Sequence, residues 1–179
     1  MLRYLSIAAG LLAAALSVPA ATLQQISLED MTTGATAVVR ARVTSASASF
    51  TGTTIYTHYR LDVVETWKGR PAAEVMVPGG TANGIRQSFP GVPELSSGSE
   101  YVLFLWTSPS TGIVHLVGLN QGIYNVVTGS DGVAMASRPQ VGELMLNALG
   151  QKVKDQAVSM RVVDMKSQVA THLSIGAAR

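Results

Sequence analysis

The chain has 179 residues, no cysteine, and 13 basic against 11 acidic side chains. That length suits one domain with a core of its own, and the missing cysteines exclude disulfides, cysteine-ligated zinc and a thiol nucleophile. The charge is balanced and scattered, with Lys68 and Arg70 the nearest thing to a cluster before the C-terminal tail. Nucleic-acid binding needs a concentrated basic face, so that class is set aside.

Residues 1–20 read as an export signal. Arg3 supplies the positive start and Leu5 to Leu16 an uncharged apolar stretch. Val18-Pro19-Ala20 then offers small residues at the expected cut, with Ala20-Ala21 as an alternative. The rival reading is an uncleaved anchor, since the uncharged stretch runs from Tyr4 past Thr22. The mature N-terminus separates the two.

The mature chain opens with a short helix. Ser27 is its predicted cap, Asp30 reaches back to it, and Gly34 ends it. Residues 37–43 alternate apolar with polar, placing Val39, Ala41 and Val43 opposite Arg40 and Arg42, which is the period of a strand with one wet face. Residues 45–52 read as a polar loop. Alternation returns from Ile55 to Trp67. There Ile55, Tyr59, Leu61, Val63 and Trp67 share one face, and Tyr56, His58, Arg60, Asp62 and Thr66 the other. Lys68-Gly69-Arg70-Pro71 closes this strand.

Glu74 to Val77 is a short strand. The stretch from Pro78 to Gly98 is rich in turn residues and reads as a long loop of the kind that often carries function. Tyr101 to Trp106 is a continuous apolar run, predicted as a central strand buried on both faces. Strands follow at 113–117, 123–128 and 133–136, the last entered through a Ser130-Asp131-Gly132 turn. Helical spacing is then read twice, over 141–149 and over 159–173, the second with Met160, Val163, Val169 and Leu173 on one stripe. The fold class is therefore mainly β with C-terminal helices: a small OB-like β-barrel or a curled antiparallel sheet. The divisions are 1–20 for the signal, 21–136 for the β-domain and 137–179 for a helical extension.

The ordered motifs Val38-Val39…Arg42-Val43, Ile55-Tyr56-Thr57…Trp67-Lys68-Gly69, Val77-Pro78-Gly79-Gly80, Pro90-Gly91-Val92-Pro93, Gly98…Tyr101-Val102-Leu103-Phe104-Leu105 and Gly118-Leu119-Asn120-Gln121-Gly122 resemble those of exported bacterial proteins without assigned function. Their barrel pattern is similar to the OB-like domain of tissue inhibitors of metalloproteinases and netrins. Those inhibitors place an N-terminal cysteine on the target's zinc, and a chain without cysteine lacks that group. The resemblance spans residues 35–127 and implies fold, not catalytic residues.

Chemistry leaves few marks. His58, His115 and His172 are not at metal-ligand spacing, so no metal site and no cofactor are expected. Ser97-Gly98-Ser99 and Gly129-Ser130-Asp131-Gly132 read as turns, not as a nucleophile elbow, and no catalytic residue is assigned. The candidate binding residues are Asn83, Arg86, Gln87 and Phe89 in the 78–93 segment, whose other reading is a plug for the open end of the barrel. The expected function is a non-catalytic ligand- or protein-binding module of the cell envelope, exported to the periplasm or beyond. Its partner is an unidentified envelope protein or ligand, and the membrane enters only if the signal is retained. The rivals are a hydrolase with dispersed active-site residues and a membrane-anchored accessory subunit.

Overall fold

The computed structural model describes residues 22–140 and 142–177. The expected export signal, residues 1–20, lies outside the described residues. In chain order the elements are β1 (Thr22–Gln24), α1 (Leu28–Gly34), β2 (Ala37–Thr51), β3 (Thr54–Lys68), β4 (Glu74–Pro78), β5 (Gly80–Ala82), β6 (Ile85–Gln87), β7 (Glu100–Thr107) and β8 (Val114–Leu116). A 3-10 turn at Leu119–Gly122 follows. Then come β9 (Ile123–Thr128), β10 (Ala134–Arg138), β11 (Leu144–Leu146), β12 (Lys152–Val153), β13 (Val158–Arg161) and α2 (Val162–Ala177).

One antiparallel sheet dominates, in the order β13-β10-β9-β7-β2-β3-β4, with β8 paired to β7. Strands β4 and β8 flank an apolar slot lined by Tyr56, Met76, Pro78, His115, Leu116 and Leu119. No hydrogen-bonded ladder joins them. The sheet is therefore curled and not closed into a barrel.

The curl has two buried faces. Inside it lie Val39, Ala41, Val43, Tyr59, Leu61, Val75, Val77, Leu95, Leu103 and Leu105. On the outer face α1 and α2 cover Val38, Val102, Phe104, Tyr124, Val126 and Ala136 with Met31, Val162, Met165 and Val169. Neighbours Val38 and Val39, and the run from Val102 to Leu105, are thus buried on opposite faces. This is why residues 101–105 read as unbroken apolar sequence.

Helix α1 starts where the sequence places it. The Asp30 amide donates to Ser27 Oγ at 3.0 Å, and Ser27 Oγ donates to Asp30 Oδ2 at 2.6 Å. Its far end is satisfied by tertiary structure: Lys68 Nζ donates to the Thr32 and Thr33 carbonyls at 2.7 and 2.9 Å. A cation there also suits the helix dipole. Burial lowers the Lys68 pKa. Next to it Gly69 has φ +67°, and a Cβ there would stand 1.9 Å from the Thr36 carbonyl oxygen. Only glycine fits that crossing.

Four expectations change. Residues 45–51 are strand, not loop: β2 continues to Thr51, and Thr51 pairs with Thr54 across a two-residue turn. The serines at 45, 47 and 49 alternate with Ala46, Ala48 and Phe50, so the period of two was present in small residues. Second, Trp67 does not share the inner face with Leu61 and Val63. Register shifts occur around Val64 and Trp67, since Arg40 pairs with Glu65 while Ala41 pairs with Val63. Each extra residue in a strand reverses the side that later residues face. Trp67 consequently packs half-buried against the helix-covered core.

The third change is at 141–149, where no helix forms among the described residues. Leu144–Leu146 is a strand, parallel to β1 and antiparallel to β12, and only Met145 is buried. Finally, the last helix begins at Val162, because residues 158–161 form the edge strand β13 against β10. Its buried stripe is Val162, Met165 and Val169, while Val163 faces water.

Across the outer surface runs a chain of ion pairs. Arg42 and Arg40 both bond Glu100, Arg40 reaches Glu65 at 3.2 Å, and Lys166 of α2 bonds Glu65 at 2.6 Å. The Lys166 hydrogen bond is the main cause holding the Glu65 carboxyl below its ordinary pKa. A depressed carboxylate stabilises the fold above its unfolded pKa and loses that contribution as pH falls through its folded value. Lys166→Met should therefore lower stability at pH 7 by about 0.2–1 kcal/mol, as for a partly exposed pair. Melts taken at falling pH should show parent and variant converging below the carboxylate range; a constant gap would mean that Lys166 acts by packing alone.

Candidate functional site

The turn-rich segment after β4 is more ordered than its composition suggests. β5 and β6 form a hairpin whose two-residue turn is Asn83-Gly84, with φ of +50° and +76°. Two successive positive φ values define the hairpin turn that Asn-Gly favours. Asn83 thus sits at the tip in a structural role. Gln87 is a fastener: its Oε1 accepts from the Ile55 amide at 2.7 Å and its Nε2 donates to the Thr53 carbonyl at 2.9 Å. These bonds tie the small hairpin to the end of the β2–β3 hairpin.

Arg86, Gln87 and Phe89 line one shallow pocket of about 140 Å³ with Pro78, Gly79 and Glu94. Asn83 does not line it. Beyond the hairpin the chain turns inward, and Pro93 and Leu95 are buried, Leu95 in the inner core with Val92 against it. Tyr59, Leu61 and Tyr101 belong to that same core. The 90–95 stretch thus packs into the inner core of the curl.

Beside this plug opens a cavity of about 330 Å³. Pro93, Leu95, Tyr101 and Ile123 give it apolar walls, and Glu94, Asn120, Asn125, Ser137 and Glu143 add polar groups. The elements explain the convergence. Asn125 on β9 pairs with Tyr101 on β7 and Ser137 on β10, so neighbouring strands direct all three side chains to one face. Tyr101 is held in place because its hydroxyl accepts from the Ser96 amide at 3.0 Å. Burial raises the pKa of nearby Tyr59, with Glu94 adding to the rise, so its phenol stays neutral.

Arg138 forms the cavity's rear wall. Its guanidinium makes a two-pronged pair with Asp155, at 2.7 and 3.0 Å, and both side chains are buried. The pair raises the Arg138 pKa. This cation is neutralised by Asp155, so the remaining ionisable groups of the cavity, Glu94 and Glu143, make it acidic.

A second constellation lies on the outer face of the sheet, at the β2–β3–β4 end. Ser49 Oγ is 3.1 Å from His58 Nε2, and His58 Nδ1 is 2.8 Å from Glu74 Oε1. The register produces it. Ser47 and Met76 stand directly opposite His58, so Ser49 and Glu74 are its diagonal neighbours on either side. Sequence reading places His58 on a wet strand face but misses its partners, because Ser49 reads as loop. The only signal available is the serine alternation at 45, 47 and 49.

Among the described residues no group of three or more His, Asp or Glu side chains could hold a metal ion. No helix among them is long and apolar enough to cross a membrane. The class defined by these features is a curled antiparallel sheet with helices over its outer face and a cavity beside its plugged inner core. No protein family matches the chain, and no curated protein matches it.

Proposed function

We propose that this chain is an exported binding module of the cell envelope, and that its ligand site is the cavity of about 330 Å³ between residues 93–95 and strands β7, β9 and β10. One observation carries the reading: apolar walls and several convergent polar groups meet in a single preformed concavity, which is the usual character of a small-ligand site. The charge balance narrows the ligand. With Arg138 held by Asp155, the carboxylates Glu94 and Glu143 favour a compact apolar molecule bearing a cationic amine. The reading of residues 1–20 as an export signal and the motif resemblance to exported OB-like proteins support the envelope location. Asn83 and Gln87 are given structural roles in this proposal, and Arg86 and Phe89 are assigned to the rim of the neighbouring pocket.

The test is a thermal-shift screen of amphipathic amines against neutral and anionic analogues. A ligand at a hundred times its Kd stabilises by about 2.7 kcal/mol. For a chain of this size that raises Tm by roughly 5–11 °C. Ser137→Leu, which fills the cavity, should abolish the shift, and Glu94→Gln should reduce it for amines only. An equal shift in Ser137→Leu, or none from any amine, would overturn the assignment.

A further inference from the structure

We propose that Ser49, His58 and Glu74 form a hydrolytic triad on the outer face of the sheet, acting on esters with a short aliphatic acyl group. The rival hydrolase reading thereby acquires definite residues, independent of the cavity.

The hydrogen-bond chemistry is directional. An ionised carboxylate only accepts, so His58 Nδ1 carries the proton donated to Glu74, and Nε2 is left to accept from the Ser49 hydroxyl. This is the polarity that a nucleophile, base and orienting acid require, at distances within the usual reach. Ser49 is exposed, so a substrate can approach Oγ, while the His58 side chain is 23% exposed and wedged between its two partners. The backbone holds all three rigidly, since each lies within a ladder strand.

Two neighbours complete the site. Tyr56 stands directly opposite Ser49 on β3, and Met76 directly opposite His58 on β4. Both also line the apolar slot of about 180 Å³ between β4 and β8, with Pro78, Leu116 and Leu119. The slot is small and, apart from the His115 ring and the Tyr56 hydroxyl, its walls are apolar, which suits a short alkyl chain. Tyr56, paired with Ser49 across the ladder, is the residue assigned in this proposal to donate to the developing oxyanion.

In the proposed reaction Ser49 Oγ attacks the ester carbonyl carbon and its proton passes to His58 Nε2. The tetrahedral species collapses, the C–O bond to the alcohol breaks, and His58 returns the proton to the departing alkoxide. Water then adds to the acyl-Ser49 ester, giving its proton to His58. The second collapse releases the carboxylic acid, and Ser49 Oγ recovers the proton. One ester and one water become one acid and one alcohol, with no other reactant. Ser49 and His58 are the catalytic residues; Glu74 is a positioning residue.

The experiment uses the whole chain with p-nitrophenyl butyrate and, separately, a fluorophosphonate probe read by peptide mass spectrometry. Expected results are a phosphonyl adduct on Ser49 and a rate that falls about 10²–10⁴-fold in Ser49→Ala and in His58→Asn. Glu74→Gln should lower kcat about tenfold or more with KM unchanged, which a merely structural contact would not do. Tyr56→Phe should lower kcat while leaving the adduct site unaltered. The long-chain palmitate ester should turn over far more slowly than the butyrate. The amine thermal shift reads the cavity and these assays read Ser49, so failure here and failure of the ligand cavity are distinguishable. The proposal is overturned if Ser49→Ala, melting with the parent, hydrolyses the ester at the parental rate, or if the probe leaves Ser49 unmodified in the folded parent.

Discussion

Phe104→Ala should destabilise the protein by about 3–5 kcal/mol, enough to consume much of the stability of an ordinary domain. Phe104 has no exposed surface. Its ring meets Tyr124 edge-to-face, with centroids 6.0 Å apart and planes at 61°, beneath the two helices. Truncation removes the transfer free energy of the ring and leaves a void between sheet and helices that neither can collapse to fill, because β7 is bonded to β2 and β9 on its two sides. Urea unfolding should show a lower midpoint with little change in slope. Trp67, the other aromatic expected in the core, is half-buried at a bulge, so Trp67→Phe should cost much less. A Phe104→Ala protein melting within a degree or two of the parent would mean that β7 is not the central strand.

Asp155→Ala should have an effect of similar size for a different reason. Removing the carboxylate leaves the Arg138 guanidinium buried without its counter-charge, and breaking such a pair typically costs about 3–5 kcal/mol. Arg138 Nε already lacks a hydrogen-bond partner, and the neutral Gln156 carbonyl, 3.4 Å from Nη2, cannot replace the lost charge. The double variant Arg138→Met, Asp155→Leu replaces the pair by apolar groups and should recover most of the loss. The measurement is a double-mutant cycle by urea unfolding. If the double variant is as unstable as Asp155→Ala, the pair matters through its shape, not its charge. Because Arg138 lines the proposed ligand cavity, the same cycle repeated with the amine ligand reports whether neutralising this cation sets the ligand's charge preference.

The legible parts of the molecule are those whose signal is local. Ser27 and Asp30 announce the start of α1 within four residues. The 101–106 run announces a strand covered on both sides, which holds for residues 101–105, while Trp106 is exposed. Asn83-Gly84 also carries a two-residue hairpin signal, but in sequence it reads as part of a long loop. The candidate segment after β4 was legible as turn-rich, but its division of labour was not. Gln87 looks like a surface amide in sequence; its two hydrogen bonds go to residues 32 and 34 positions away. Similarly Gln121, in a motif noted only for its order, holds the N-terminal segment by accepting from the Ile26 amide and donating to the Gln24 carbonyl, both at 2.9 Å.

By itself the sequence determined the mainly β class, the alternation of the long strands, the capped first helix and the absence of any disulfide. These depend on side-chain period, capping chemistry and composition, which act over a few residues. Tertiary structure decided what depends on register. The bulge at Val64 moved Trp67 from one core to the other, because one added residue reverses a strand's faces. Leu144 to Leu146 became a strand because β1 and β12 supply its hydrogen bonds from distant sequence. Ser49, His58 and Glu74 meet because β2, β3 and β4 pair in one particular stagger, and no spacing along the chain encodes a stagger between three strands.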